Sequence, residues 1–362
     1  MANSFGKNFK ITIFGESHGQ SIGVIIDGIP PGITLDFDLI KEEMYRRRPG
    51  KDNVSTTRKE KDQVRIQSGY FNDHTTGAPL CGIIENTNKK SKDYSKLKDQ
   101  MRPSHGDYPG RIKYKGFNDY RGGGQFSGRL TAPLVFAGAI AKQILSEKDI
   151  HVGSHILSIG KIEEKSFNTS DLNKDNFEKL KKDKLPTLDQ TMKENMEEEI
   201  LKHKNEGDSI GGIVEGAIIG LPVGLGEPLF NSFESHLSQL IFSIPGIKGI
   251  TFGKGFDLSK LPGSVGNDAY YYDSEGNVKT KTNNNGGILG GLTTGMPVTF
   301  KVVFKATPSI SKNQETINIK EKENINLSIQ GRHDPCIVPR GLVVVEAVSA
   351  IVALDLLIEG GW

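Results

Sequence analysis

The sequence predicts an α+β fold in which strands and helices form separate layers. Short apolar or alternating runs typical of strands recur between residues 9 and 304, and the long apolar segments 129–149 and 341–361 are typical of helices. Strands and helices do not follow one another with the regular period of a Rossmann sheet, and the sequence contains no repeat or coiled-coil heptad. These observations favour layered packing over a doubly wound nucleotide-binding fold.

The first 50 residues predict two strands and a helix. Residues 9–14 and 22–27 have strand-like patterns, and the FGESHG segment joins them. The helix is bounded by Asp36 or Asp38, either of which can cap its start, and by a Pro-Gly pair at 49 and 50. It ends on three consecutive arginines.

Further strands and helices are predicted along the rest of the chain. Residues 129–149 are apolar on most faces, which is typical of a buried helix. Residues 161–209 are rich in Lys, Glu, Asp and Asn, so we interpret them as a solvated excursion with one surface helix that ends at Gly207. The other predicted elements are a strand at 80–86, strand-like runs at 209–228, a helix from 233 to Pro245, a strand at 298–304 and the helix 341–361.

Composition and charge limit the classes of protein. The chain has 362 residues, of which 35% are hydrophobic and 25% charged, and this suits a globular protein of one large or two average domains. Its net charge of +2 gives no general attraction to nucleic acid or to an anionic bilayer. Cys81 and Cys336 are too few for a disulfide framework or a thiolate metal site and fit a reducing compartment. The N-terminal residues also lack a leader-like apolar run, so we expect a cytoplasmic protein. We expect no bound metal.

The FGESHG segment, residues 14–19, places Glu16, Ser17 and His18 between two glycines. Glycine lets the backbone pass close to a ligand, so these side chains are candidates for a site at a strand end. Taken alone, the segment is better explained as an ordinary turn, because an isolated motif is weak evidence. The other polar segments have to decide between the two interpretations.

Three arginines, Arg46, Arg47 and Arg48, stand together at the end of the first predicted helix. A single arginine there would simply complement the helix dipole. Three neighbouring guanidinium groups repel one another, and their forked donors suit carboxylate or phosphate oxygens. The RRRPG segment therefore predicts either a helix end or an anion site.

The segment 101–111 places Arg102, His105, Asp107 and Arg111 in a stretch broken by proline and glycine, through which we expect no helix or strand to run. A lone loop histidine is commonly a solvated surface group. Here a neighbouring arginine could hold a phosphate against His105, which would then give it a proton as a general acid.

The DYRGGGQFSGR segment, residues 119–129, has three successive glycines ahead of a predicted helix. Backbone N–H groups in such a loop can face an anion. The segment lacks both the lysine of a Walker motif and the GxGxxG spacing, which argues against an ATPase and an ordinary dinucleotide fold.

Near the C-terminal helix, Arg332, His333 and Asp334 stand side by side. A neighbouring Arg–Asp pair is commonly a local ion pair worth little, but Asp334 could also orient a histidine or relay a proton. Cys336 has no evident helix start or base beside it, so we interpret it as an inert thiol.

Taken together, these segments resemble the chorismate synthase family. The resemblance rests on FGESHG, DGIPPG, RRRPG, RPSHGD, DYRGGGQFSGR, EGDSIGG, GLGEP, GGILGG and GRHDPC, which occur in this order from residue 14 to residue 336. It implies one domain over residues 1–362, with the polar excursion around 161–209, and homotetrameric assembly. It also implies a β-α-β sandwich in which helices pack between antiparallel sheets.

The family resemblance implies a lyase of the shikimate pathway, which serves aromatic amino acid biosynthesis. Such an enzyme converts 5-enolpyruvylshikimate 3-phosphate to chorismate and phosphate by an anti 1,4-elimination that requires reduced FMN, although no net oxidation or reduction occurs. The arginine clusters would supply the forked donors that this trianionic substrate requires. The resemblance implies His105 as the acid that assists the phosphate, His18 as a group acting near the reduced flavin, and Asp334 as a proton relay through flavin N5.

The ligand contacts that the resemblance implies come from several segments. Arg47 matches an NADP contact of some relatives, but Asn53 stands where a second arginine is common, which argues against NADPH binding. At residues 125–127 this chain has QFS where the family commonly has RSS or RAS, and at residues 305–309 it has KATPS where KPTSS is common. Because these side chains differ from the family pattern, we expect flavin contacts there through the backbone. The implied flavin contacts are Gln125, Phe126, Ser127, Pro245, Gly246, Gly290, Gly291, Lys305, Ala306, Thr307, Pro308, Ser309 and Arg332, and the implied substrate contacts are Ser17, Arg48, Arg102, Arg129 and Arg332.

Two other functions are consistent with parts of the sequence. A bifunctional relative would also oxidise NADPH to supply its own reduced flavin, but the long insertions that accompany this activity in the family are not evident. A phosphate-ligand or RNA-binding protein would use the arginines as phosphate contacts, but the near-neutral charge and scarce aromatic residues argue against an RNA surface.

Overall fold

The computed structural model describes residues 3–50, 61–87, 96–329 and 333–361. These residues form two large antiparallel sheets, several short hairpins and the helices between and around them. The strands are β1 (Ser4–Phe5), β2 (Lys10–Gly15), β3 (Ser21–Asp27), β4 (Val64–Ser68), β5 (Tyr70–Phe71), β6 (His74–Thr75), β7 (Leu80–Glu85), β8 (His151–Ile159), β9 (Ile162–Glu163), β10 (Gly212–Ile219), β11 (Ile247–Phe252), β12 (Tyr270–Tyr272), β13 (Val278–Thr280), β14 (Ile288–Leu289), β15 (Leu292–Thr293), β16 (Val298–Phe304), β17 (Gln314–Asn318) and β18 (Glu323–Leu327). The α-helices are α1 (Phe37–Arg47), α2 (Asp107–Lys113), α3 (Thr131–Ser146), α4 (Lys174–Lys181), α5 (Gln190–Asn205), α6 (Phe233–Ile241), α7 (Gly263–Gly266) and α8 (Val338–Glu359).

Each large sheet has five strands. The first has the order β1-β2-β3-β7-β4 and the second the order β11-β16-β10-β8-β9, and neighbouring strands are antiparallel throughout both. The FGESHG segment forms the turn between β2 and β3, so its polar side chains are displayed at one end of the first sheet.

Helices α3 and α8 lie between the two sheets. α3 packs against β2, β3 and β7, α8 packs against β8 and β10, and the two helices pack on each other. A Cβ at Gly138 would lie 2.4 Å from the Cβ of Ala347, so glycine is needed for the helices to approach this closely. This arrangement confirms the predicted α+β class and the sandwich that the family resemblance implies.

The apolar character of α8 follows from its place in the core. By length and composition this helix could cross a membrane. In the fold, however, 94% of its most apolar stretch is buried between the sheets. A helix covered on every side requires apolar residues all round, and α8 has them.

A network of buried charges lies where α1, α3 and α8 meet. Glu346 accepts hydrogen bonds from Arg46 at 2.7 and 3.0 Å, from Lys142 at 2.6 Å and from Ser154 at 2.8 Å, and Lys142 also donates to Glu43 at 2.7 Å. Burial raises the pKa of Glu346, but the adjacent Arg46 and Lys142 outweigh it and hold this pKa well below its usual range. Arg46, one of the three neighbouring arginines, thus forms ion pairs within the core.

Most predicted elements are confirmed. The predicted strands appear as β2, β3, β7, β10 and β16, the predicted helices as α1, α3, α5, α6 and α8, and Asp36 caps α1 by accepting two backbone hydrogen bonds. The prediction that no helix runs through 101–111 is wrong, because α2 begins at Asp107. Pro109 lies in the first turn of α2, where a missing N–H breaks no helical hydrogen bond.

The excursion at 161–209 is less solvated than its composition predicts. Its helices α4 and α5 both pack against the second sheet. Phe167, Phe177 and Leu180 form a small core of their own with Ala217 of β10. The apolar residues that anchor the excursion are sparse among its many charges, which is why the pattern indicated only a surface helix.

His155 ties this excursion to the sheet. Its two ring nitrogens lie 2.5 Å from Glu164 and 2.8 Å from Glu215, and all three side chains are buried. Glu164 also accepts hydrogen bonds from the backbone N–H groups of Leu188 and Asp189. Burial lowers the pKa of His155, but hydrogen bonds to the two carboxylates outweigh this effect and raise that pKa above its usual value.

The stability of the protein is expected to fall as the pH rises through the raised pKa of His155. Below the unfolded-state pKa of about 6.5 the imidazolium contributes its full stabilisation, and this contribution is lost as the folded-state group gives up its proton. Urea unfolding of the wild type and of His155→Gln from about pH 6 to about pH 9 measures the effect, which should reach at most about 1.4 kcal/mol per pH unit. A difference between the two proteins that stays constant with pH would contradict this expectation.

Candidate active site

One cavity of about 720 Å³ collects side chains from segments that are far apart in the sequence. Its volume lies in the range of about 300–1,000 Å³ that is typical of ligand pockets. His18, His105 and Asp334, the three predicted catalytic residues, all line it. Its walls combine cationic side chains with apolar ones, among them Phe126 and Val344.

His18 is held in close contact with the glycine loop. Ser17 Oγ lies 3.2 Å from the carbonyl oxygen of Arg121, 3.1 Å from that of Gly122 and 3.2 Å from His18 Nδ1. A Cβ at Gly122 would lie 2.1 Å from His18 Cε1, so only glycine leaves room for the imidazole ring. Ser17 lines a smaller neighbouring cavity of about 340 Å³ and is not part of the main cavity wall.

The three successive glycines of the DYRGGGQFSGR segment separate and position two histidines. Gly122, Gly123 and Gly124 have φ angles of +59°, +86° and +53°, a left-handed run that strongly favours glycine. Gly122 contacts His18, and a Cβ at Gly123 would lie 3.3 Å from His105 Cε1. The loop thus forms the wall between the two imidazole rings.

His105 belongs to a cluster with Arg102 and Asp107. Asp107 accepts hydrogen bonds from Arg102 Nε at 2.7 Å and Nη2 at 2.8 Å, and its Oδ1 lies 2.7 Å from His105 Nδ1. Burial raises the pKa of Asp107, but hydrogen bonds from Arg102 and His105 outweigh it and hold this pKa well below its usual range. Arg102 Nη1 also lies 3.4 Å from Ser309 Oγ, which links the cluster to the 305–309 segment.

Asp62 pairs with two arginines of the cavity wall. It accepts a hydrogen bond from Arg47 Nη1 at 2.7 Å, and its other oxygen contacts Arg129 Nη1. Arg47 also donates to Thr131 Oγ1 and to the carbonyl group of Gly128, and it is only 1% exposed. Sequence reasoning missed Asp62, because the charged run before it gives no single carboxylate a distinctive pattern.

The three arginines of the RRRPG segment lie in three different environments. Arg46 enters the core network, and Arg47 reaches the cavity wall in its pair with Asp62. Arg48 lies with its guanidinium 5.7 Å from the centre of the Tyr45 ring and does not line the cavity. Successive helical side chains point about 100° apart, so neighbours in sequence diverge in space.

Asp334 forms an ion pair with Arg340 on the first turn of α8. Arg340 Nη1 lies 2.5 Å from Asp334 Oδ2, and its Nε donates to the carbonyl group of Arg47 at 3.3 Å. Cys336 is buried, and burial raises the pKa of its thiol to about 12, which agrees with an inert thiol. Arg332, predicted to contact both ligands, lies outside the described residues.

Most of the predicted flavin contacts lie on the cavity wall. Gly290 and Gly291 do not, because they form the turn between β14 and β15, where Gly291 packs against Glu227 and Ser232. Burial lowers the pKa of Lys305, and the charge of Lys248 lowers it further. Lys248 is a cavity cation that sequence reasoning missed, since a single lysine carries no pattern. The predicted flavin contacts on the wall are Gln125, Phe126, Ser127, Pro245, Gly246, Lys305, Ala306, Thr307, Pro308 and Ser309.

The fold and the cavity together define an enzyme-like site for a small anionic molecule. Histidines capable of proton transfer stand beside forked cationic donors in a concave pocket. Within residues 3–50, 61–87, 96–329 and 333–361, no cluster of histidine, cysteine and carboxylate side chains could hold a metal ion.

Comparison with known proteins gives the family. The chorismate synthase family profile matches residues 9–358. The chorismate synthases of Dehalococcoides mccartyi and Methanocaldococcus jannaschii are each 45% identical to this chain, over 100% of it and 98% of their own length. A crystal structure of a chorismate synthase is similar with a TM-score of 0.76 and 28% identity, over 98% of this chain and 93% of that one. The chain belongs to the chorismate synthase family.

Proposed function

We propose that the chain is a lyase that eliminates phosphate from 5-enolpyruvylshikimate 3-phosphate to give chorismate, with reduced FMN as its cofactor. The observation that carries this proposal is the convergence of His18, His105 and Asp334 on one cationic cavity. The elimination needs a proton donor beside the departing phosphate and fixed positive charge where negative charge develops. Both are present in the cavity.

The cavity offers cations for the three anionic groups of the substrate. Forked guanidinium donors suit phosphate and carboxylate oxygens. Arg102 Nη2 lies 3.1 Å from His105 Nδ1, so a phosphate bound by Arg102 would stand beside the proton donor. Substrate contacts at Ser17, Arg48 and Arg332 stay predictions from the family resemblance. Besides Arg47, whose guanidinium is paired with Asp62, the described cations on the wall are Arg102, Arg129, Lys248, Lys305 and Arg340.

The residues present fit a flavin. Residues 125–127, 245–246 and 305–309 line a cavity that is also walled by apolar side chains, which suits a flat ring carrying a phosphate. Gly246 has a φ angle of +94°, and a Cβ there would lie 2.9 Å from Ile337 Cδ1, so the bare backbone keeps this part of the wall open. When bound, reduced FMN supplies an electron-rich ring that can lend and regain an electron, so that phosphate leaves without net oxidation.

Four side chains of the cavity are proposed to bind the phosphate and to hold or transfer protons. His105 is proposed to give a proton to an oxygen of the departing phosphate, a role worth about 100- to 10,000-fold in rate. Arg102 holds that phosphate. Asp334, paired with Arg340, is proposed to hold and pass on a proton at its carboxylate, and His18 is proposed to act as a second proton donor across the glycine loop from His105.

A direct role for NADPH is not favoured. Arg47, the predicted contact, is buried and already pairs with Asp62. Using this guanidinium for a nucleotide phosphate would break a buried ion pair, and uncompensated buried charge costs about 3–5 kcal/mol. We therefore propose a lyase that receives its reduced flavin from elsewhere.

We also propose that the chain forms homotetramers in the cytoplasm. Leu229 and Phe230 are 83% and 88% exposed, and Leu229 has a φ angle of +64°, which is uncommon for a residue other than glycine. Large exposed apolar side chains mark surfaces where proteins meet. Light scattering should give the mass of four chains for the wild type and of smaller species for Phe230→Glu, with Lys320→Glu as the control. A monomeric wild type would refute the assembly.

The reaction itself is tested by anaerobic incubation with reduced FMN and 5-enolpyruvylshikimate 3-phosphate. Chorismate absorbance and free phosphate should rise together, and oxidised FMN should support neither. Phosphate release without chorismate would overturn the proposed reaction. NADPH consumption with FMN alone would favour the bifunctional enzyme, and RNA binding that weakens steeply with salt, without turnover, would favour the binding protein.

A further inference from the structure

We propose that Asp107 is a positioning residue that holds His105 and Arg102 in the orientation the elimination requires. This inference rests on the proposed function and deepens it. Asp107 does not line the cavity, whereas His105 and Arg102 do. It therefore touches no ligand and acts through the two side chains in front of it.

The Asp107 carboxylate is saturated by these two neighbours. Oδ2 accepts hydrogen bonds from Arg102 Nε at 2.7 Å and from the Arg102 backbone N–H at 3.2 Å. Oδ1 accepts from Arg102 Nη2 at 2.8 Å and lies 2.7 Å from His105 Nδ1. One carboxylate thus fixes both the plane of the guanidinium group and one edge of the imidazole ring.

This geometry selects the ring nitrogen that carries the transferable proton. An ionised carboxylate accepts but never donates, so Nδ1 of His105 must carry a hydrogen towards Asp107. The low pKa of Asp107 supports the ionised form. The proton that leaves His105 in the reaction must then come from Nε2. Arg102 Nη2 carries two hydrogens. It donates one to Asp107 Oδ1 at 2.8 Å, and a protonated Nδ1, 3.1 Å away, cannot accept the other.

The backbone behind Asp107 is fixed by packing. Asp107 begins α2, and Cβ atoms added at Gly106 and Gly110 would lie 3.2 and 2.5 Å from the Phe126 ring, so α2 sits directly on this ring. Ser104, with a φ angle of +55°, reverses the chain before His105, and its carbonyl group accepts a hydrogen bond from Lys305 at 2.5 Å. The carboxylate therefore has a rigid support from which to orient its neighbours.

Asp107→Asn tests the proposal, because asparagine keeps the shape but offers one acceptor oxygen and an N–H₂ group that repels the donors. We expect kcat to fall at least about tenfold. The loss should not exceed the one caused by removing the acid itself, which is expected to be about 100- to 10,000-fold. The change in KM should be smaller than the change in kcat. In a His105→Ala background the same substitution should lower kcat by a smaller factor than in the wild type, because Asp107 then orients only Arg102. Asp99→Asn, which removes a nearby carboxylate paired with Arg111, should leave turnover unchanged.

Histidine-selective ¹⁵N NMR of the ligand-free protein supplies a readout that does not depend on turnover. The His105 signal, assigned by its loss in His105→Ala, should report a protonated Nδ1 in the wild type and a shift towards protonated Nε2 in Asp107→Asn. Asp107→Glu, which retains the charge, should recover part of kcat. If the wild type forms no chorismate, the proposed function fails and the NMR comparison alone decides this inference.

Three results would overturn the positioning role. One is an unchanged His105 spectrum in Asp107→Asn, and another is an equal loss of kcat with and without His105. The third is a failure of both the Asn and the Glu variants to fold, which would make Asp107 a stability residue. Thermal unfolding by circular dichroism distinguishes that last outcome from the others.

Discussion

Replacing His105 with alanine is expected to lower turnover by about 100- to 10,000-fold, the contribution typical of a positioned general acid. Substrate affinity should change little, because Arg102, Arg129 and the cavity lysines remain in place. Chorismate formation under anaerobic conditions gives kcat, and titration calorimetry gives the substrate Kd. The separation of these two quantities identifies a group that acts in the transition state.

His74→Ala is the matched control for this substitution. His74 is exposed on the short strand β6 and does not line the cavity. The control should retain wild-type kcat and Kd. Equal losses of turnover and binding in His105→Ala would remove the acid role and leave His105 as a binding residue.

Replacing Glu346 with alanine is expected to lower the free energy of unfolding by about 3–5 kcal/mol. The substitution leaves two buried cations, Arg46 and Lys142, with only one carboxylate between them, that of Glu43. Excess buried positive charge is far more costly than the loss of a surface ion pair. Urea unfolding monitored by circular dichroism measures the change.

Glu321→Ala serves as the control, since Glu321 pairs with Lys320 at the surface with both side chains more than half exposed. Its unfolding free energy should match that of the wild type within error. A loss below about 1 kcal/mol in Glu346→Ala would show that water or rearranged side chains compensate the buried cations. The core network would then contribute less than its geometry suggests.

The sequence predicted the layers of the fold well because buried faces of strands and helices require apolar residues at regular spacings along the chain. β2, β3, β7 and β16 appear as alternating or apolar runs, and α3 is apolar on every face because sheets and helices cover it. The excursion at 161–209 was harder, since a few buried residues such as Phe177 and Met196 anchor a segment that is otherwise highly charged.

The sequence predicted which segments line the candidate site, but it did not predict which charged side chains pair with one another there. FGESHG and the glycine run stand out locally, and the cavity wall contains His18 together with Gly122 and residues 125–129. The partner of Arg47 and Arg129, Asp62, depends on how distant strands and helices meet, which no local pattern records. The same reason separates Arg46 from Arg47, because the helix turns one into the core and the other towards the cavity.

The position of α8 has a consequence for biosynthesis. This helix fills the middle layer, yet it follows every strand of both sheets along the chain. While the ribosome makes the protein, α3 can already cover the first sheet, but the inner face of the second sheet and the side of α3 that packs on α8 stay uncovered until α8 emerges. Such surfaces are prone to aggregation. Completion of the fold is therefore delayed until synthesis has passed residue 359, and chaperones that shield apolar surface should raise the yield of active enzyme.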